Sequence, residues 1–141
     1  MQIPARLHYA TLAMYELAAA EQRVEPVAIR EIVAKHGIPQ PFLVQILQQL
    51  KSAGWVTSTR GSGGGYRLTA GRSDLTLLEI ADAIGCGEGG CNVAAAQTEV
   101  AGQLMRAWDR AAAAYRDVLA SITLTDLVNE SADLESTMFY I

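Results

Sequence analysis

Between Glu31 and Asp74 the chain carries no acidic residue, while Lys35, Lys51, Arg60, Arg67 and Arg72 all fall inside that interval. Cations free of neighbouring carboxylates suit a polyanion, because nothing close by repels phosphate. Gln40 and Gln45 lie in the same stretch. A glutamine amide donates and accepts at once, which lets it pair bidentately with an adenine edge in a major groove. Arg60 precedes the run Gly61, Ser62, Gly63, Gly64 and Gly65. A tip of that kind lets backbone approach a minor groove, whose negative potential attracts arginine. Further on, Cys86 and Cys91 bracket a glycine-rich segment, and packing, redox chemistry and metal binding are all open to them.

The net charge of −4 seen over the whole chain hides an uneven distribution. Residues 1–72 hold eight Arg or Lys and four acids, for +4, and residues 73–141 hold three Arg and eleven acids, for −8. The basic half is therefore the candidate for double-stranded DNA. Enzyme classes find little support: no paired carboxylates share an element, no nucleophile has a nearby base, and His8 and His36 are the only histidines. The run Gly61 to Gly65 is not followed by Lys-Ser or Lys-Thr, as a nucleotide-binding loop would require. No window matches a membrane span, and the first residues lack the order of a secretory signal, so a cytoplasmic protein without a disulfide framework is expected.

The elements that must position these residues follow from periodicity. Leu7, Ala10, Met14, Leu17 and Ala18 share one face of a helix over residues 7–20. A second, short helix is predicted over residues 27–36, with Gly37 where a C-terminal cap belongs. Pro39 and Pro41 make a turn, and Pro41 suits the first position of a third helix. In that helix Phe42, Leu43, Ile46, Leu47, Leu50 and Ala53 form the inward stripe, leaving Gln45, Gln48, Gln49 and Ser52 on or near the other side. Two short helices joined by a tight turn read as helix-turn-helix. The β-branched and aromatic segments 55–59 and 66–69, either side of the glycine run, read as a β-hairpin wing.

Thr76 with Glu79 three positions on is a capping box that opens another helix, closed by Gly85. Beyond the glycine-rich loop, Val100, Leu104, Trp108, Ala111, Tyr115, Val118 and Ile122 recur near a heptad spacing in one long helix. A lone helix does not bury such a seam. A homodimer formed through it would also match a palindromic DNA site. The expected fold is thus mainly α: a winged helix-turn-helix domain (1–84) with a β-hairpin wing, a Gly/Cys sensor loop (85–96), and a long dimerisation helix with C-terminal tail (97–141).

The chain resembles the IscR and NsrR type of winged-helix transcription regulators, the Rrf2 family. The resemblance rests on Tyr9 leading into residues 10–14, on Gly37-Ile38 before Phe42-Leu43, on Arg60-Gly61-Ser62-Gly63-Gly64-Gly65-Tyr66, and on Ile122-Thr123-Leu124-Thr125-Asp126-Leu127-Val128. It covers nearly the whole chain and implies a dimeric bacterial repressor or activator that senses iron-sulfur status, nitric oxide, redox state or cysteine supply. For the DNA surface it adds Tyr9, Phe42, Gly61, Ser62, Gly63 and Tyr66 to Gln40, Gln45, Lys51 and Arg60. Val44 stands where some relatives carry a charged base-discriminating residue, so operator preference does not carry over.

The sensing half departs from the family pattern. Members that hold an iron-sulfur cluster usually present three cysteines before the long helix, and this chain has Cys86 and Cys91 only. In some members an acidic residue near position 8 reaches the cluster of the partner subunit. His8 stands there, and imidazole replaces thiolate as an iron ligand in Rieske centres. Three readings of the loop stay open: a cluster held by Cys86, Cys91 and His8 with a carboxylate such as Glu88, a reversible thiol or disulfide switch, and a vestigial loop in a regulator of some other effector. For His8 the alternative is an exposed or DNA-facing residue. The rival of another class is a winged-helix protein-interaction module that binds no DNA.

Overall fold

The structure is a computed structural model and describes residues 2–85 and 98–139. Helix α1 (Ala5–Ala19) runs through the centre of the core, with Leu7, Ala10, Met14, Leu17 and Ala18 buried as their spacing predicts. Helices α2 (Ile29–His36) and α3 (Gln40–Ser52) form the helix-turn-helix against it. Gly37 caps α2 in the left-handed region at φ 65°, its N–H donating to the Val33 carbonyl at 2.8 Å. An L side chain is strained in that conformation, and glycine is not.

Helix α2 begins two residues later than its pattern predicts, for a physical reason. The Val27 N–H donates to the Tyr66 carbonyl at 2.9 Å and its carbonyl accepts from the Tyr66 N–H at 2.8 Å. Val27 therefore acts as one rung of a third strand on the edge of the hairpin, which fixes it in extended backbone. Strands β1 (Val56–Thr59) and β2 (Gly65–Leu68) pair antiparallel, Val56 opposite Leu68 and Thr59 opposite Gly65.

In α3 the side chains of Leu43, Ile46, Leu47 and Leu50 are fully buried. Truncating one of them to alanine removes about 2–5 kcal/mol of stability. Two residues depart from the predicted stripe. Ala53 is the exposed C-cap of α3, and Gln49, expected outside, is half-buried.

Helix α4 (Leu77–Ala83) opens on the predicted capping box, the Glu79 N–H donating to Thr76 Oγ1 at 3.1 Å and the Thr76 N–H to Glu79 Oε2 at 2.8 Å. Helix α5 (Glu99–Ser121) is capped by Thr98, whose Oγ1 accepts from the Ala101 N–H. The structure then adds an element in place of the expected tail, helix α6 (Leu124–Phe139), which packs on α1. Thr123 and Asp126 form its own capping box at 2.9 and 3.1 Å. The α5–α6 junction is tied to the start of α4 through Leu77 N–H to Ile122 carbonyl (2.9 Å) and Leu124 N–H to Leu75 carbonyl (3.0 Å).

Candidate nucleic-acid interface

The outward side of α3 carries Gln40, Gln45, Gln48 and Lys51, all exposed. Beside it the start of α2 and the hairpin close a cleft of about 520 Å³, lined among others by Arg30, Gln40, Gln48, Lys51, Arg60 and Tyr66, and by no acidic residue. Lys51 Nζ donates to Ser58 Oγ at 2.7 Å, joining the last turn of α3 to β1. Arg30 and Arg60 make no ion pair among the described residues. A groove lined by both cations and amide side chains offers phosphate and base-edge partners together.

Not every cation of the acid-free stretch serves this surface. Lys35 is drawn to Glu16 at 3.2 Å, where His36 Nε2 also lies 2.8 Å from the same carboxylate. Arg67 donates to the Arg23 carbonyl at 2.8 Å, fastening β2 to the α1–α2 loop. Arg23 in turn grips both oxygens of Glu31 at 2.9 and 3.0 Å and donates to the carbonyls of Glu25 and Pro26. The hydrogen bond from Arg23 holds the Glu31 carboxyl below its ordinary value, and Glu31 raises Arg23 in return. Glu31, the residue after Arg30, is thereby paired, and Arg30 itself lines the cleft, a place that its sequence does not announce.

Tyr9 and Phe42 stand apart from the cleft. Their rings meet edge to face at 5.6 Å and 86°, with the Arg6 guanidinium 5.9 Å from the Phe42 centroid. They brace the N-terminal turn of α3 against α1. At the wing, Gly61, Ser62 and Gly63 form the exposed tip and Tyr66 is half-buried against the core. Gly64 and Gly65 have a separate reason to lack side chains. A Cβ on Gly64 would sit 2.2 Å from the Thr59 carbonyl oxygen, and one on Gly65 would sit 2.2 Å from that of Val27.

His8 is exposed on α1 and lines a groove of about 350 Å³ with Tyr15, His36, Leu127, Glu130 and Leu134. Cys86 and Cys91 lie outside the described residues. Among the described residues no three His, Cys, Asp or Glu side chains are grouped to hold a metal ion. Nor is any helix among them long and apolar enough to cross a membrane. Along α5 the predicted seam faces solvent: Val100 is 72 % exposed, Leu104 and Trp108 49 %, and Val118 58 %. Tyr115 turns inward and packs against the core.

A helix-turn-helix braced by α1, flanked by a glycine-tipped hairpin and followed by a long helix, defines a winged helix-turn-helix protein, as the sequence predicts. The chain belongs to the Rrf2 family, whose model, described as an iron-dependent transcriptional regulator, matches residues 3–130. It is 32 % identical over 143 residues to the HTH-type transcriptional regulator IscR of Vibrio campbellii, covering 96 % of this chain and 82 % of that one. Among solved structures it is similar to CymR (YrzC), the global cysteine regulator of B. subtilis, with TM-score 0.77, 28 % identity, and 92 % and 98 % of the two chains covered. IscR of T. potens aligns with TM-score 0.74 and 28 % identity over 93 % and 88 %. The family model, the Vibrio relative and CymR are all named as regulators, a family of non-enzymes.

Proposed function

We propose that the protein is a homodimeric DNA-binding transcription regulator in which α3 reads the major groove and the β1–β2 wing follows the backbone into the adjacent minor groove. The observation that carries this reading is the acid-free cleft between α3 and the wing, lined by Arg30, Lys51 and Arg60. Gln40 and Gln45, at the N-terminal part of α3, are assigned to base edges, as befits the end of a reading helix that reaches bases. Arg60, Gly61, Ser62 and Gly63 are assigned to the wing contact, with Lys51 on a phosphate and Tyr66 shaping the wall. Tyr9 and Phe42 act by holding α3 in place. The exposed seam of α5 supports pairing with a second copy. The test uses a duplex selected from a random pool by the wild-type protein: Arg60→Ala weakens binding to it, and Gln45→Ala relaxes base preference at one position by about 1–3 kcal/mol. Retention of both properties in the two variants contradicts the assignment.

For the signal, we propose that Cys86 and Cys91, with His8 of the partner subunit, hold an iron-sulfur cluster. Two thiolates per chain fall short of the usual four ligands, so the set is incomplete within one chain. The exposure of His8 on α1 leaves its ring available to a second molecule. A bound cluster would supply a redox- and iron-sensitive group on the segment that joins α4 to α5 in the sequence. Protein purified without oxygen then shows visible absorbance with matching iron and acid-labile sulfide, both lost in Cys86→Ala and Cys91→Ala. Colourless, iron-free protein after reconstitution leaves the thiol switch or another effector.

A further inference from the structure

Gln49 is a polar side chain on the wrong side of its helix. It sits on α3 between the buried Ile46 and Leu50, half-buried, and its Nε2 donates to the carbonyl of Ala83 at 3.0 Å. Its Oε1 accepts a hydrogen bond from Arg6 Nη2 at the first turn of α1. Both ends of the amide are thus used, and both lead away from the DNA-facing surface. Ala83 is the last residue of α4 and stands three residues before Cys86. Its neighbour Asp82 is gripped by Arg116 of α5, each carboxylate oxygen 3.3 Å from a guanidinium nitrogen. The final turn of α4 therefore holds the reading helix through one residue and the long helix through the next.

We infer that Gln49 is a positioning residue that couples the placement of α3 on DNA to the integrity of the last turn of α4. The inference rests on the DNA-reading role of α3. The physical argument is linkage. A hydrogen bond between two elements is strengthened by whatever orders either of them, so a duplex that fixes α3 stabilises the end of α4, and whatever unwinds the end of α4 weakens the hold on DNA by the same factor. No contact between DNA and α4 is required: Asp82 and Ala83 are not among the residues lining the cleft.

The experiment measures backbone amide exchange of the full chain with and without the selected duplex, in wild type, Gln49→Met and Gln49→Glu. Methionine removes both hydrogen bonds at similar volume. Glutamate keeps an acceptor for Arg6 and loses the donor to Ala83, so it isolates the α4 link and serves if the methionine variant fails to fold. In the wild type, duplex slows exchange at Ile84 and Gly85 about three- to tenfold, the size of one hydrogen bond. In Gln49→Glu, bound to the same duplex at saturating concentration, the slowing is lost while that of the α3 amides persists. Unchanged exchange at these amides in duplex-bound wild type, or full slowing in both variants, overturns the coupling. Wild type that binds no duplex overturns the DNA reading beneath it, an outcome seen before any exchange is measured.

Discussion

Lys51 Nζ lies 2.7 Å from Ser58 Oγ, so the last turn of α3 and the first strand of the wing meet on one cation at the edge of the cleft. The serine supplies a neutral acceptor and leaves the charge uncompensated. Lys51→Met is expected to lower the slope of log affinity against log salt by about 1 per subunit, as for the loss of one phosphate contact, whereas Ser58→Ala leaves the slope unchanged. Duplex titrations at several salt concentrations measure both.

The two glycines that follow the wing tip differ in kind from those within it. Gly65→Ala places a Cβ against the Val27 carbonyl, a backbone atom that cannot rotate away, and Gly63→Ala meets nothing within 4 Å. Gly65→Ala is expected to cost about 1–3 kcal/mol in urea unfolding, typical of overpacking, with Gly63→Ala near wild type. Equal midpoints for the two variants would count against the Val27–Tyr66 rung as the anchor of the wing.

Dimerisation through α5 has a clean test because its seam is exposed within the chain. Leu104 and Trp108 are each 49 % exposed and stand outside the buried core, so Trp108→Asp and Leu104→Asp are expected to leave secondary structure and helix content in place. Sedimentation equilibrium is expected to give twice the chain mass for wild type and the chain mass for the variants. A wild-type monomer, or variants that still pair, would refute a dimer built on this face.

The Arg23–Glu31 pair sets a pH dependence whose sign is fixed. Glu31 titrates below its ordinary value of 4.5 in the folded chain, chiefly through its hydrogen bond with Arg23. A depressed carboxyl contributes stability above the unfolded value, and the contribution disappears as pH falls through the folded one. Both side chains are more than a third exposed, so the effect is small and screened by salt. Wild type should exceed Glu31→Gln in denaturant midpoint at neutral pH and converge with it as pH drops below 4.5. A constant gap into the acid range would show that the pair carries no such contribution.

Much of this architecture was legible in the sequence because its signals are local. Helical periodicity located α1, α3 and α5, and Thr76 with Glu79 marked α4. Helix α6 escaped although its signals were also local: Thr123 and Asp126 form a box, and Leu124, Leu127, Val128 and Ser131 share a face. Gln49 departs from its expected place for a different reason. A polar residue at the edge of an apolar stripe reads as outward, and nothing near it in the chain announces a carbonyl acceptor at Ala83. The sorting of cations was equally invisible, because the Glu16 that takes Lys35 comes from a different helix. Charge counts marked the half of the chain that carries the cleft, while tertiary pairing decided which of its cations face it.

Salt dependence of wild-type binding to a selected duplex tests the central claim most directly. With Arg30 and Lys51 of each of two subunits on phosphates and Arg60 of each at the minor groove, six cations displace counterions and the slope of log affinity against log salt should be about −5. A flat dependence, or no duplex binding at any salt concentration, would contradict DNA recognition and leave the winged helix as a platform for another protein.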